Sequence, residues 1–366
     1  MWPDRRILDL LHIDAPILLA PMAGPGLAEL AIGVAEAGGL GALPTALLSA
    51  DQVHTEVATF RSRTSRAGRS RPINLNFFCH TPPAPDPARD AAWRDRMAPY
   101  YHELGLDPAA PIKASARAPF DDALCRLVED VRPEVVSFHF GLPEPALLDR
   151  VRTTGAVILG SATTVAEARW LDAHGCDAII AQGAEAGGHR GVFLAGDPIA
   201  ACATQPGTMA LVPQVVDAVS KPVIAAGGIA DGRGIVAAMA LGAAAVQLGT
   251  AYLFCPEAKV SAPHRAALGR ATDDGTALTN VFTGRPARGL VNRAIRELGP
   301  LTAEAPAFPL AGGALAPLKA QAEALGSGDF SPMWAGQAAA LGRALPAAEL
   351  TRALAEDALA RLARRG

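Results

Sequence analysis

One histidine stands in a glycine-rich loop directly after an apolar run. Asp177-Ala-Ile-Ile-Ala181 reads as a short buried strand, and Gln182-Gly183-Ala-Glu-Ala-Gly187-Gly188-His189-Arg190-Gly191 follows it. The glycines at 183, 187, 188 and 191 remove side-chain bulk where a backbone must approach a ligand closely. An unperturbed imidazole titrates near pH 6.5, so a histidine at a strand exit can take a proton from a bound organic molecule as a general base. The plainer alternative is a surface turn carrying an incidental histidine, and further motifs weigh against it.

Two glycine-bearing strand ends lie downstream, Val223-Ile-Ala-Ala-Gly227-Gly228 and Val246-Gln247-Leu248-Gly249-Thr250. Glycines at such ends let an anion sit on backbone N–H groups, the usual way an α/β barrel grips a phosphate after its seventh and eighth strands. A glycine pair alone fits a tight corner turn equally well; the Gly-Thr at the next strand end favours the phosphate. A GxGxxG dinucleotide fingerprint after the first strand is absent, and Pro21-Met22-Ala23-Gly24 stands there instead. His139, in Ser137-Phe-His-Phe-Gly141, is a second candidate. It could hold an anionic substrate or be a rim histidine satisfied by a backbone carbonyl.

The elements that must position these groups alternate along the chain. Apolar runs at Ile17–Gly24, Gly39–Thr45, Pro72–Phe78, Val135–Gly141, Ala156–Ala162, Ala178–Gly183, Pro222–Gly228 and Ala245–Tyr252 read as eight strands. Helical periodicity separates most of them, as in Leu27–Ala37, Val165–His174 and Ile235–Leu241, and Thr164 with Glu167 resembles a capping box. Eight apolar strands needing cover on both faces predict a (β/α)8 TIM barrel over residues 1–254. An open doubly wound sheet is the competitor. Asn76, His139, His189, Gly227-Gly228 and Gly249-Thr250 all fall at strand C-terminal ends, where a barrel builds its site, and this favours the barrel. Residues 79–134 make an over-long connection with Thr81-Pro-Pro-Ala-Pro-Asp-Pro87 and Tyr100-Tyr101, read as an elaborated loop with a helix. Residues 255–330 read as a small, mainly helical second unit, and 331–366 as a helical tail returning to the barrel.

Composition excludes other classes. The 366 residues are half apolar and a fifth charged, with a net charge of −3 and no basic run, so no nucleic-acid partner is expected. Five scattered cysteines with no CxxC pair suggest neither a disulfide framework nor a metal site, and fit a cytoplasmic protein. The acidic residues near Met1 argue against a signal peptide. The uncharged part of the stretch from Gly234 to Cys255 is divided by Gly242 and carries Gln247 and Thr250, so no membrane span is expected.

Together Leu19–Gly24, Asn74–Phe78, Ser137–Gly141, Ala181–Gly191, Ala225–Gly232, Gln247–Thr250, Thr283-Gly-Arg-Pro-Ala-Arg-Gly-Leu290 and Pro332-Met-Trp-Ala-Gly-Gln337 resemble the flavin-dependent nitronate monooxygenases, formerly called 2-nitropropane dioxygenases, and their class I branch in particular. The resemblance implies a non-covalent FMN across the barrel mouth. Its ring would lie near Met22, Asn76, Gln182 and Gly187 and its phosphate against Gly228, Gln247, Leu248, Gly249 and Thr250, with Pro21, Ala23, Gly188 and Gly227 as further contacts and Gln337 closing the site. His189 would be the base towards neutral nitroalkanes, and His139 would help bind a nitronate, which is already deprotonated. The implied reaction consumes O2 and turns an alkyl nitronate, propionate 3-nitronate above all, into a carbonyl compound and nitrite; the flavin carries the electron chemistry. Arg285 and Arg288 would hold a substrate carboxylate or form a buried structural ion pair. The partners implied are the small nitronate and O2, with a homodimer left open. Two alternatives remain: an NAD(P)H-dependent flavin reductase acting on quinones or enoyl thioesters, and a phosphate-ligand binding barrel without catalysis.

Overall fold

The computed structural model describes residues 1–66, 68, 70–112 and 117–364. Eight strands form one parallel sheet: β1 (Ile17–Leu19), β2 (Gly41–Pro44), β3 (Ile73–Phe78), β4 (Val135–His139), β5 (Val157–Ala162), β6 (Ala178–Gln182), and, after the two-residue strand β7 (Gly188–His189), β8 (Val223–Ala226) and β9 (Ala245–Leu248). The spatial order is β1-β9-β8-β6-β5-β4-β3-β2. The seam closes between its two ends, where the Leu19 amide donates to the Leu40 carbonyl (2.9 Å) and the Leu40 amide to the Ile17 carbonyl (3.0 Å). The sheet is therefore a TIM barrel and not an open doubly wound sheet. Its strands are almost wholly buried because side chains on one face fill the barrel and those on the other meet helices.

All eight expected strands are present, and the ladders stop earlier than the apolar runs do. Ala20–Gly24 leaves β1 as a loop, and Thr250–Phe254 forms a 3-10 turn after β9. The uncharged stretch that raised a membrane question splits into the helix Gly232–Ala240 and β9, with Gly242 at φ 93° between them. Among the described residues no helix is long and apolar enough to cross a membrane.

The long connection after β3 carries the helix Pro87–Glu103, which packs on the helix Gly312–Ala324. Trp93 Nε1 donates to the Ala311 carbonyl (3.1 Å) and the Tyr101 hydroxyl to the Ala314 carbonyl (2.7 Å). Trp93, Met97 and Tyr101 thus join Phe282, Ile295, Leu318 and Phe330 in a second apolar core above the barrel mouth. Residues 255–330 contain more than helices: β10 (Thr276–Thr279) and β11 (Ala287–Leu290) are antiparallel, and β11 pairs with β7. This three-stranded sheet links the second unit to the loop bearing His189. The final helix, Ala347–Ala363, lies against the helices Ala28–Glu36 and Gly232–Ala240; residues 365 and 366 of the expected tail lie outside the described residues.

Candidate active site

A cavity of about 650 Å³ opens at the C-terminal ends of the barrel strands, a size suited to an organic ligand. His189 lies on its wall. Pairing of Ala287 with His189 and of Arg288 with Gly188 holds β7 from one side. From the barrel side, Gln182 Nε2 donates to the His189 carbonyl (3.0 Å), and Gln182 Oε1 accepts from the Gly191 amide (2.8 Å). The same His189 carbonyl receives the Nε2–H of His139 (3.2 Å). On the imidazole itself, Nε2 lies 2.9 Å from Thr283 Oγ1.

Aromatic rings enclose that imidazole: Phe308 and Trp334 have centroids 5.4 and 5.5 Å away, and Phe140 and Phe78 follow at 6.1 and 6.2 Å. Burial, reinforced by the charge of Arg117 and then by His139, Arg285 and Arg190, pushes the His189 pKa well below its ordinary 6.5. His189 is thus a neutral imidazole at neutral pH. Burial likewise takes His139 down to about 3. With its Nε2–H given to a carbonyl and no charge of its own, His139 supplies no fixed positive charge for an anion. Phe140, next in sequence, sits at φ 72°, a conformation rare for an aromatic residue, under the Arg285 guanidinium 4.0 Å from its ring centre.

Two buried charged side chains shape the loops on either side of His189. Arg190, 1% exposed, donates to the carbonyls of Gly183 (3.1 Å), Gly188 (2.9 Å) and Ala186, turning the 183–188 segment around its guanidinium. Burial lowers its pKa to about 9, and the ring of carbonyl dipoles compensates the charge. Glu167 accepts from the Thr163 amide and hydroxyl (both 2.7 Å) and from the amides of Phe193 (2.7 Å) and Leu194 (3.3 Å). The expected capping box is therefore half formed: Thr164 caps the Glu167 amide, and the Glu167 side chain reaches the segment beyond His189 instead.

Of the residues singled out in the sequence, Pro21, Met22, Ala23, Asn76, His139, Gln182, Gly187, Gly188, His189, Gly227, Gly228, Gln247, Gly249 and Thr250 all line this one cavity. Leu248 does not; alternation along β9 turns it into the hydrophobic core. Nor does Gln337, which is exposed and approaches only through its amide on the Glu185 carbonyl (3.0 Å), whereas its neighbours Gly336 and Ala338 reach the wall. Asp231 caps the helix Gly232–Ala240 with its own carboxylate. Gly227-Gly228 and Gly249-Thr250 line the cavity at the ends of β8 and β9.

The family model for nitronate monooxygenase matches residues 4–357. A nitronate monooxygenase of Pseudomonas aeruginosa is 43% identical over 354 residues, covering 96% of this chain and 98% of that protein. The chain belongs to the nitronate monooxygenase family. Among solved structures, a nitroalkane oxidase from Streptomyces ansochromogenes superposes with a TM-score of 0.87 at 37% identity, covering 99% of this chain and 100% of that one. FabK from Thermotoga maritima superposes at 0.73 with 27% identity, covering 98% and 97%. As a nitronate monooxygenase family member the protein is an oxidoreductase of nitronates.

Within that family framework, Arg285 and Arg288 take neither expected role. Arg285 donates to the Val192 carbonyl beside Phe140, and Arg288 to the Ala184 carbonyl (2.9 Å) and Thr276 Oγ1 (3.2 Å). Neither lines the cavity, and among the described residues neither meets a carboxylate at ion-pair distance. The cation on the wall that bears most strongly on His189 is Arg117, which the sequence reading passed over. It lies in the long connection after β3, which returns to the barrel where the Phe120 amide meets the Phe78 carbonyl (2.7 Å). Nothing in local periodicity marks it. Trp334 and Thr283 were visible only as members of longer motifs.

Proposed function

We propose that the protein oxidises alkyl nitronates with O2 at an FMN held in this cavity, releasing nitrite and a carbonyl compound, with propionate 3-nitronate as the substrate class. The observation that carries the reading is His189, boxed by aromatic rings, on the same cavity wall as the Arg117 guanidinium. The residues present suit a flavin mononucleotide. Glycines at strand ends leave room for a phosphate, and Gln247 Oε1, on β9 at the cavity, is a buried acceptor without a partner among the described residues that a ligand hydroxyl or N–H would satisfy. Bound there, FMN would supply the electron transfer that side chains cannot.

The chain's own residues supply position and proton handling. Arg117, on the cavity wall, attracts the delocalised negative charge of the nitronate through its own positive charge. His139 and Gln182 seat the His189 backbone. Phe78, Phe308 and Trp334 keep bulk water from the ring, so His189 remains unprotonated and can take the α-proton of a neutral nitroalkane. A nitronate needs no such step. Five unpaired thiols fit a reducing cytoplasm.

The likeness to FabK at 27% identity keeps a nicotinamide-dependent reductase as the second reading. Oxygen uptake and nitrite release from propionate 3-nitronate by flavin-loaded protein without NADPH support the first; bleaching of the flavin by NADPH with no nitronate turnover supports the second.

A further inference from the structure

We infer that Thr283 is a positioning residue that fixes the tautomer of His189, so that the ring carries its proton on Nε2 and offers Nδ1 as the proton-accepting atom. The inference rests on the proposed role of His189 as a base and adds which atom of it acts.

Thr283 Oγ1 makes two contacts, with His189 Nε2 at 2.9 Å and with the Arg285 carbonyl oxygen at 3.3 Å. A hydroxyl has one proton to give, and a carbonyl can only accept. Both contacts are hydrogen bonds in one assignment alone: the hydroxyl donates to Arg285, and its lone pair receives the Nε2–H of His189. The neutral imidazole then has its lone pair on Nδ1. Among the described residues, other groups bearing on the ring give no competing acceptor. Phe78, Phe140, Phe308 and Trp334 present aromatic rings, and the titratable neighbours Arg117, His139, Arg285 and Arg190 include no carboxylate. Thr283 thus takes the place of the third group that orients a catalytic histidine, and it does so without a charge. When Nδ1 gains a proton, the Nε2–H···Oγ1 bond is undisturbed, so the ring need not turn during transfer. Backbone geometry supports a fixed Oγ1. Thr283 is 3% exposed, and its neighbour Gly284, at φ 87°, packs so closely on Pro306 and Ala307 that a Cβ there would overlap their backbone.

The test uses flavin-loaded full-length protein with Thr283→Val, Thr283→Ser and His189→Asn, each assayed on neutral nitroethane and on ethylnitronate. Thr283→Val is expected to lower kcat/KM for nitroethane about 10- to 100-fold while leaving ethylnitronate within about threefold, and Thr283→Ser to restore nitroethane turnover. Nitrogen-15 NMR of histidine-labelled protein is expected to show His189 protonated at Nε2 in the wild type and a mixture of the two tautomers in Thr283→Val; Nε2–H is also the commoner form of a free neutral imidazole, so the change between the two proteins is the signature a merely packed threonine would not produce. An Nδ1–H tautomer in the wild type, or a Thr283→Val protein that loses both substrates equally or neither, overturns the inference. If His189→Asn separates the two substrates and Thr283→Val does not, only the tautomer assignment fails. If His189→Asn fails to separate them, the base reading itself falls. Should Thr283→Val not fold, Thr283→Ser and the wild-type spectrum still decide.

Discussion

Replacing Gly187 by alanine tests how the site wall is assembled. A Cβ on Gly187 would lie 2.6 Å from the Gly336 nitrogen and 2.7 Å from the Ala335 carbonyl carbon, and a Cβ on Gly336 would lie 2.7 Å from the Glu185 oxygen. Two main chains cross here with no side chain between them. Gly187 is outside the left-handed range of φ, so the cost of alanine is overlap and not backbone strain. Restoring an ordinary contact of about 3.4 Å requires the segments to part by about 0.8 Å, in a packed interior where such shifts cost about 1–3 kcal/mol. That movement stretches the Gln337 amide to Glu185 carbonyl bond (3.0 Å) and the Gly336 amide to Thr250 Oγ1 bond (2.8 Å), both of which hold the tail segment on the cavity rim. The expected result is a melting temperature lower by about 1–4 °C and a lower flavin-to-protein absorbance ratio after gel filtration. Gly196→Ala is the control: its Cβ meets nothing within 4 Å, its φ is outside the left-handed range and it does not line the cavity, so melting and flavin content should both hold. A Gly187→Ala protein with wild-type melting and wild-type flavin content would refute the crossing argument.

His189→Asn should lower kcat/KM for neutral nitroethane by about 10²- to 10⁴-fold and leave ethylnitronate within about threefold; equal losses measured with an oxygen electrode would contradict the base assignment. Arg117→Met should raise the KM for nitronates about 10- to 100-fold. It should also move the acid limb of nitroethane turnover to higher pH, because removing a cation raises the His189 pKa; an unmoved limb would place Arg117 away from the reacting groups. Burial holds His80 and His264 at about 4 and His139 at about 3, with His189 also well below 6.5. Below pH 6.5 the unfolded chain therefore binds protons that the folded one refuses, and stability should fall with acidification at about 1.4 kcal/mol per pH unit for each fully titrating histidine. A melting temperature flat from pH 6.5 to 4.5 would mean that these rings are solvated.

The barrel was legible because β6 and β8 are uninterrupted apolar runs ending in a polar residue or glycine, and β3 and β4 are apolar apart from Asn74, Asn76 and Ser137; covering both faces of such runs leaves few architectures. Strand ends were harder. Ala20–Gly24 and Gly249–Phe254 stay apolar after the ladder stops, because they line a cavity or a 3-10 turn and not because they pair. The sheet of β7, β10 and β11 was missed since β7 is a Gly-His dipeptide with no periodicity to read, held only by its distant partner Ala287-Arg288. Gly312–Ala324 begins with two glycines and contains Pro317, so its helix comes from packing against Trp93 and Tyr101, not from propensity. Strand-end residues that line the cavity, such as Asn76, His139 and Gly228, were legible for the same reason the strands were. Arg117 and Trp334 reach the site through long-range folding that single-sequence patterns do not encode.

The central claim is oxidation of a nitronate by O2 without a nicotinamide. Oxygen uptake and nitrite formation by purified, flavin-loaded protein given propionate 3-nitronate, with NADPH in a parallel cell, measure it directly. Rapid uptake with nitrite release, unchanged by NADPH, is the expected result; no uptake on the nitronate together with bleaching of the flavin by NADPH would contradict it.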